Sequence, residues 1–243
     1  MPLVNLTPHD VVIGSMNAQN TFEVAKTLPK DDKVARVNTN MRPVDPIDGV
    51  AVQEVKFLEV VDLPPKQEGV RYIVSMPVAQ YAKTRDDLLC PYSEKAIRDG
   101  QKILGVPGLV RYEAFPEMKR STADKVNVNC KKIINSSFTT VSIGRKGDEG
   151  KFVADRFFPK SDNVATVKTE AHECEPIDGI RLFSIKFFGI QNLPSEEEGV
   201  VHIVPMPVAQ FSERKDLVCA DTEKPFRDEK GAMVGFPGFV RYA

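Results

Sequence analysis

Short runs of apolar and β-branched residues, bounded by Gly, Pro, Asn and Asp, recur along the chain and predict β-strands. In the first half the clearest runs are residues 10–14, 33–38, 50–61 and 70–75. The run 50–61 carries apolar residues on both faces, so we expect it to lie inside a sheet rather than at its edge. The pattern therefore predicts a mainly β protein.

Other signals mark the turns and one helix. Residues 63–69 contain two prolines, which cannot continue a strand ladder, and predict a turn. Residues 77–82 predict one short helix, because Pro77 would stand in the first turn, where a missing N–H is tolerated. An Asp-Gly pair predicts a hairpin over 97–103. We expect a small β-barrel or β-sandwich with one short helix, or alternatively an α+β arrangement.

The whole pattern occurs twice. Moving the chain by 130 positions superimposes residues 46–50 on 176–180 and residues 73–80 on 203–210, and each block differs at one position: Val50 against Ile180, and Ser75 against Pro205. We therefore predict two tandem copies of one unit, residues 1–115 and 134–243, with a linker at 116–133. Two such copies are expected to pack about a pseudo-twofold axis as an intramolecular dimer.

Composition restricts the class of function. Lys and Arg number 33 and Asp and Glu 34, giving a net charge of -1, which argues against nucleic acid as a partner. The chain has no signal-like start and no apolar run of 18 residues, so we expect a soluble cytoplasmic protein without a membrane partner. Its four cysteines lack C-x-x-C spacing, and no phosphate loop or hydrolase motif occurs, so no metal, cofactor or catalytic residue is predicted.

Comparing the two copies indicates where a site would lie. Residues 7–10 read Thr-Pro-His-Asp in the first copy, and the equivalent residues 137–140 read Ser-Phe-Thr-Thr. Arg36 becomes Thr166 and Ser75 becomes Pro205. The first copy thus holds a polar set that suits a ligand pocket, with an arginine for a phosphate or carboxylate: Thr7, His9, Asp10, Arg36 and Ser75. The alternative is structural, namely a hydroxyl-stabilised turn and a cross-strand pair.

A second cluster contains two arginines beside carboxylates. Residues 85–87 read Arg-Asp-Asp and residues 98–99 read Arg-Asp, and both are partly retained at 214–216 and 227–228. Retention in both copies favours a structural network, because the arginine fork pairs with carboxylates through two hydrogen bonds. The alternative is that Arg85 and Arg98 line the same pocket as Arg36, so both are candidate ligand-binding residues.

An ordered set of motifs in the first copy resembles a known group of proteins. It consists of N-L-T-P-H at 5–9, V-A-R at 34–36, Y-I-V-S at 72–75 and R-D-D-L at 85–88. The chain is similar to small, uncharacterised, single-unit proteins of bacteria and phages that carry these motifs in this order. The resemblance implies that His9, Arg36 and Ser75 are family positions. The second copy departs from the pattern at residues 138, 139, 166 and 205, which implies a site mainly in the first copy.

These observations lead to three hypotheses of function. We expect a non-enzymatic module that binds a small anionic or nucleotide-like ligand, mainly in the first repeat. The first alternative is a hydrolase or transferase in which His9 is a general base, which requires His9 to face an accessible pocket. The second alternative is a structural or protein-interaction protein without a small-molecule site.

Overall fold

A computed structural model describes residues 2–100, 102–115 and 130–242. Most of the predicted linker, residues 116–129, lies outside the described residues. The last predicted linker residues, 132 and 133, belong to a strand instead. The three described ranges are mainly β, and no helix in them is long and apolar enough to cross a membrane.

Elements of the first half follow one another in this order: β1 Leu3–Asn5, β2 Val11–Met16, β3 Phe22–Leu28, β4 Arg36–Ile47, β5 Val50–Val61, β6 Arg71–Ile73, α1 Met76–Tyr81, β7 Leu88–Pro91, a 3-10 turn Ser93–Lys95, β8 Ile97–Asp99, β9 Lys102–Gly105 and β10 Leu109–Ala114. The second half continues with β11 Lys132–Asn135, β12 Val141–Lys146, β13 Phe152–Phe158, β14 Thr166–Ile177, β15 Ile180–Gln191, β16 Val200–Ile203, α2 Met206–Phe211, β17 Leu217–Ala220, β18 Phe226–Arg227, β19 Met233–Gly235 and β20 Phe239–Tyr242.

The chain forms two compact units, and neither follows the predicted boundaries of the repeats. Unit 1 contains Met1–Thr39, Phe57–Phe115 and Thr169–Phe187. Unit 2 contains Asn40–Lys56, Pro116–Lys168 and Phe188–Ala243. Unit 1 therefore includes residues 169–187 of the second repeat, and unit 2 includes residues 40–56 of the first repeat. The physical reason is found in the pairing of the long hairpins β4–β5 and β14–β15.

In unit 1 a six-stranded sheet has the order β1, β6, β7, β10, β15, β14. The last two strands of this order, β15 and β14, come from the second repeat. β15 pairs in parallel with β10, and this pairing places Leu182 opposite Leu109. Both leucines are buried, so this pairing removes apolar surface from water. Gly108 permits the approach, because a Cβ there would lie 2.4 Å from the carbonyl oxygen of Arg181.

Unit 2 has a second six-stranded sheet, in the order β11, β16, β17, β20, β5, β4. Here β5 pairs in parallel with β20, with Val52 opposite Phe239. A Cβ on Gly238 would lie 2.4 Å from the carbonyl oxygen of Ala51, so the same close approach recurs. Since β5 has a neighbour on each side, it lies inside a sheet, as its apolar faces predict.

Two-stranded antiparallel hairpins complete the fold, and they include β2 with β3 and β8 with β9. The predicted Asp-Gly hairpin at 97–103 is confirmed, and Gly100 adopts the positive φ of 55° that such a turn requires. The predicted helix is also present, one residue earlier than expected.

Alternation along the strands divides the core of unit 1 between the two faces of its sheet. Tyr72 and Val74 belong to one buried cluster, which includes Val78 of α1. Ile73, between them, belongs to another cluster, which includes Ile13 of the β2–β3 hairpin. Because successive side chains of a strand point to opposite faces, one sheet anchors both α1 and the hairpin. These two elements carry the candidate site.

Candidate functional site

The loop before β2 is held by the buried side chain of Asn5. Its Nδ2 donates to the carbonyl oxygens of His9 at 3.0 Å and Leu28 at 2.9 Å, and its Oδ1 accepts from the Thr7 amide at 3.0 Å. The Thr7 hydroxyl lies 2.7 Å from Asn5 Oδ1 and 2.8 Å from the His9 carbonyl oxygen. This network fixes the backbone of His9 and leaves its side chain exposed.

The second repeat builds the same network, which changes the interpretation of Thr7. Asn135 Nδ2 donates to the carbonyl oxygens of Thr139 and Phe158, and the Ser137 hydroxyl lies 2.6 Å from Asn135 Oδ1. A hydroxyl at this position therefore belongs to a framework common to both repeats, not to a set found only in the first. The geometry matches the structural alternative stated for the Thr-Pro-His-Asp turn.

A cleft of about 420 Å³ opens in unit 1 next to this loop. We call it the His9 cleft. Its volume lies in the range typical of small-molecule sites, about 300–1,000 Å³. It contains four of the predicted site residues, and the complete lining is Thr7, His9, Asp10, Val11, Val12, Ser75, Met76, Cys90, Pro91, Ser93, Ala96, Ile103, Leu104, Gly105 and Val106.

Polar groups of the His9 cleft come from three separate parts of the chain. Asp10 Oδ1 accepts a hydrogen bond from the Lys30 amide at 3.0 Å, which ties the loop to the chain after β3. Ser75 stands at the start of α1, and its hydroxyl makes no capping hydrogen bond. Ser93 adds a second hydroxyl from the 3-10 turn. The imidazole and the two hydroxyls are therefore placed to bond a molecule in the cleft.

The predicted arginines do not join this group. Arg36 begins β4 and Arg98 lies in β8; both are exposed, and neither lines the His9 cleft. Within the described ranges no Lys or Arg lines this cleft, while the Asp10 carboxylate does. The lining therefore offers a negative charge and a histidine, and it does not favour a strongly anionic ligand.

The walls of the His9 cleft are mainly apolar and closely packed. A Cβ on Gly105 would lie 2.6 Å from a ring carbon of Phe22 and 2.7 Å from the carbonyl oxygen of Val12. Glycine is thus required where the β8–β9 hairpin meets β2. Burial raises the pKa of the Cys90 thiol, so this cysteine stays protonated and is a poor nucleophile.

Arg85 lines a different cleft and is held by a buried carboxylate. Its Nε and Nη2 each donate to Asp87 at 2.7 Å, and its Nη1 donates to the carbonyl oxygen of Pro64 at 2.9 Å. In the second repeat Arg214 contacts Asp216 and the Pro194 carbonyl oxygen in the same way. This pairing fixes the turn before β6 to the segment before β7, as expected for the structural network that retention in both copies favours.

His202 is buried in β16 of unit 2, at the position that Tyr72 occupies in the first repeat. The Tyr72 hydroxyl donates to the Pro65 carbonyl oxygen at 3.4 Å, whereas neither ring nitrogen of His202 has a hydrogen-bond partner among the described residues. Burial lowers the pKa of His202 from its ordinary value, against a smaller opposing effect of Asp216. Folding therefore favours the neutral ring.

We expect the stability of the protein to fall as the pH drops below about 6.5, because the unfolded state takes up a proton on His202 before the folded state does. H202Y installs the residue of the first repeat, and its stability, measured by urea unfolding, should lose this part of the pH dependence. H172Q, at an exposed histidine, is the control; an unchanged pH profile in H202Y would contradict the assignment.

Comparisons of the chain with family models, with curated proteins and with solved structures gave no match. Among the described residues, no group of three or more His, Cys, Asp or Glu side chains could hold a metal ion.

Proposed function

We propose that the protein is a non-enzymatic module that binds one small, largely apolar molecule in the His9 cleft. The observation that supports this most strongly is a cleft of about 420 Å³ with mainly apolar walls and a few polar groups in its lining. This combination is typical of small-molecule sites. His9 and the hydroxyls of Ser75 and Ser93 would fix the orientation of the ligand through hydrogen bonds.

The proposal changes the expected chemistry of the ligand. An anion would need an arginine or lysine to replace its hydration, and the two exposed arginines Arg36 and Arg98 lie outside the lining. A neutral molecule with one or two hydrogen-bonding groups suits the cleft better, because it loses less hydration when it enters an apolar cavity.

We further propose that each chain holds one such site. We interpret the chain as a tandem duplication that forms an intramolecular dimer; the barrel or sandwich form of each copy stays a prediction. In the second repeat Thr139 replaces His9, Pro205 replaces Ser75, and Phe236 replaces Val106. These changes remove the imidazole and a hydroxyl and add the bulk of a phenyl ring.

The enzymatic alternative retains one supporting observation. His9 is exposed and lines a cleft, which a general base requires. However, the His9 ring makes no hydrogen bond to a carboxylate or a hydroxyl among the residues that the structure describes. A base normally needs such a partner to orient it, so binding without turnover is the simpler proposal.

A screen of neutral fragments by ligand-observed NMR tests the binding proposal, with H9T and S75P as variants. Each variant installs the residue of the second repeat and should weaken binding about tenfold, the effect of losing one hydrogen bond in an apolar cleft. The backbone tolerates S75P, because Ser75 has φ -69° and Pro205 has φ -57°.

R36T is the matched control, since it also installs a residue of the second repeat but lies outside the cleft. It should leave affinity unchanged. Equal weakening by R36T and H9T, or hits that bind H9T and S75P as tightly as the unmodified protein, would refute the proposal.

A further inference from the structure

A second cleft, of about 280 Å³, lies in unit 1 beside the segment that follows α1. We call it the Lys83 cleft; Lys83, Arg111, Tyr112 and Phe115 are among its lining residues. It lies near the end of β10, beyond the point where the pairing with β7 stops at Val110. None of its lining residues is shared with the His9 cleft.

Most of the charged side chains at this cleft already have an ion-pair or hydrogen-bond partner. Arg85 is bound by Asp87, Asp86 contacts Lys66 at 2.5 Å, and Glu113 accepts a hydrogen bond from Ser184 at 2.6 Å. The cleft and these partners together hold four cations and three carboxylates, namely Lys66, Lys83, Arg85, Arg111, Asp86, Asp87 and Glu113. Positive charge is therefore in excess by one.

Two cations remain for a ligand. Lys83 follows α1 and Arg111 lies in β10, and both are exposed. Neither side chain makes an ion pair or a hydrogen bond to any residue within the described parts of the chain. Cations from two different elements that line one cleft can hold an anion between them.

The wall next to Arg111 is aromatic. The ring centroids of Tyr112 and Phe115 are 4.7 Å apart, and the ring of Phe187 is stacked 5.4 Å from that of Tyr112. A packed cluster of rings offers a flat apolar surface, against which another ring can stack.

We propose that the Lys83 cleft binds a small phosphate ester that carries an aromatic ring. The phosphate lies between Lys83 and Arg111, whose guanidinium can donate two parallel hydrogen bonds to phosphate oxygens. The ring lies against Tyr112 and Phe115. This site is independent of the proposed function, because it uses another cleft and the opposite preference for charge.

The second repeat lacks this arrangement. Glu213 stands at the position of Lys83, Lys215 at that of Asp86, and Thr84 has no counterpart. A carboxylate at position 213 would repel a phosphate, so one such site is expected in each chain.

Isothermal titration of the full chain with phenyl phosphate, inorganic phosphate and phenol tests the site at low ionic strength. Phenyl phosphate should bind more tightly than either of the other two compounds. K83E, which installs the residue of the second repeat, should abolish binding, and R111Q should weaken it at least about tenfold through loss of charged hydrogen bonds. R98Q and H9T are controls and should bind as the unmodified protein does.

The proposal is overturned if phenyl phosphate gives no binding heat at millimolar concentration. It is equally overturned if K83E binds as well as the unmodified protein, or if R98Q loses as much affinity as R111Q, since that would indicate non-specific charge attraction. Equal affinities for phenol and phenyl phosphate would also contradict a phosphate site.

Discussion

Residues 1–115 and 130–243, co-expressed as two separate chains, are expected to copurify as a complex with one copy of each. The reason is that each six-stranded sheet takes two strands from the other repeat. Without its partner, the first fragment would expose the edge of β10 at Leu109 and leave β5 without its neighbour β20. Size-exclusion chromatography with light scattering should give a mass somewhat below the 27.0 kDa of the intact chain.

Glycines at the two exchanged pairings provide the variants for this experiment. G108A and G238A each place a Cβ about 2.4 Å from a backbone carbonyl oxygen of the exchanged strand, so the complex should dissociate at lower urea concentration. G150N is the control, because Gly150 has a positive φ, which asparagine tolerates, and open space around it. Fragments that fold and elute separately would contradict the exchange of strands.

Replacement of Arg85 by alanine is expected to destabilise the protein by about 3–5 kcal/mol. Asp87 is 0% exposed, and in R85A its carboxylate would keep its burial but lose both hydrogen bonds from the guanidinium. A buried charge without a partner is among the most costly defects in a folded protein. Urea unfolding monitored by circular dichroism measures the loss.

The effect of R85A should also depend on pH. Burial alone would raise the pKa of Asp87, but the hydrogen bonds from Arg85 and the backbone outweigh it, and the pKa is lowered from its ordinary value of 3.8. The ionised pair therefore stabilises the protein above that value, and the stabilisation is lost as the pH falls through the lowered pKa. R85A/D87A should be less destabilised than R85A; a loss below about 1 kcal/mol in R85A would contradict this account.

Local patterns predicted the elements better than they predicted the pairing of strands. The run 50–61 coincides with β5, and Asp-Gly at 99–100 makes the expected turn. The exchange of hairpins could not be predicted, because a strand carries no local signal of the distant edge that it joins. Gly108 and Gly238 occupy equivalent positions in the two repeats, but the sequence does not show which strand backbone approaches each of them.

The same limit applies to the candidate site. His9 and Ser75 line one cleft because a loop and the start of a helix are both anchored on one sheet. Arg36 and Arg98 lie elsewhere, since the direction of a strand side chain depends on its register. Differences between the repeats do not point to Asn5, because the equivalent residue, Asn135, is identical. Identical polar residues were the signal for the framework.

Chemical-shift mapping of backbone amides with a fragment bound tests the central claim, that binding is a property of the His9 cleft. The claim predicts shifts at Ser75, Ser93 and Gly105, and none at Thr222 and Gly235, the counterparts of the last two in the second repeat. Saturation should occur at one fragment per chain. Equal shifts in both repeats, or shifts confined to residues around Arg36, would contradict the claim.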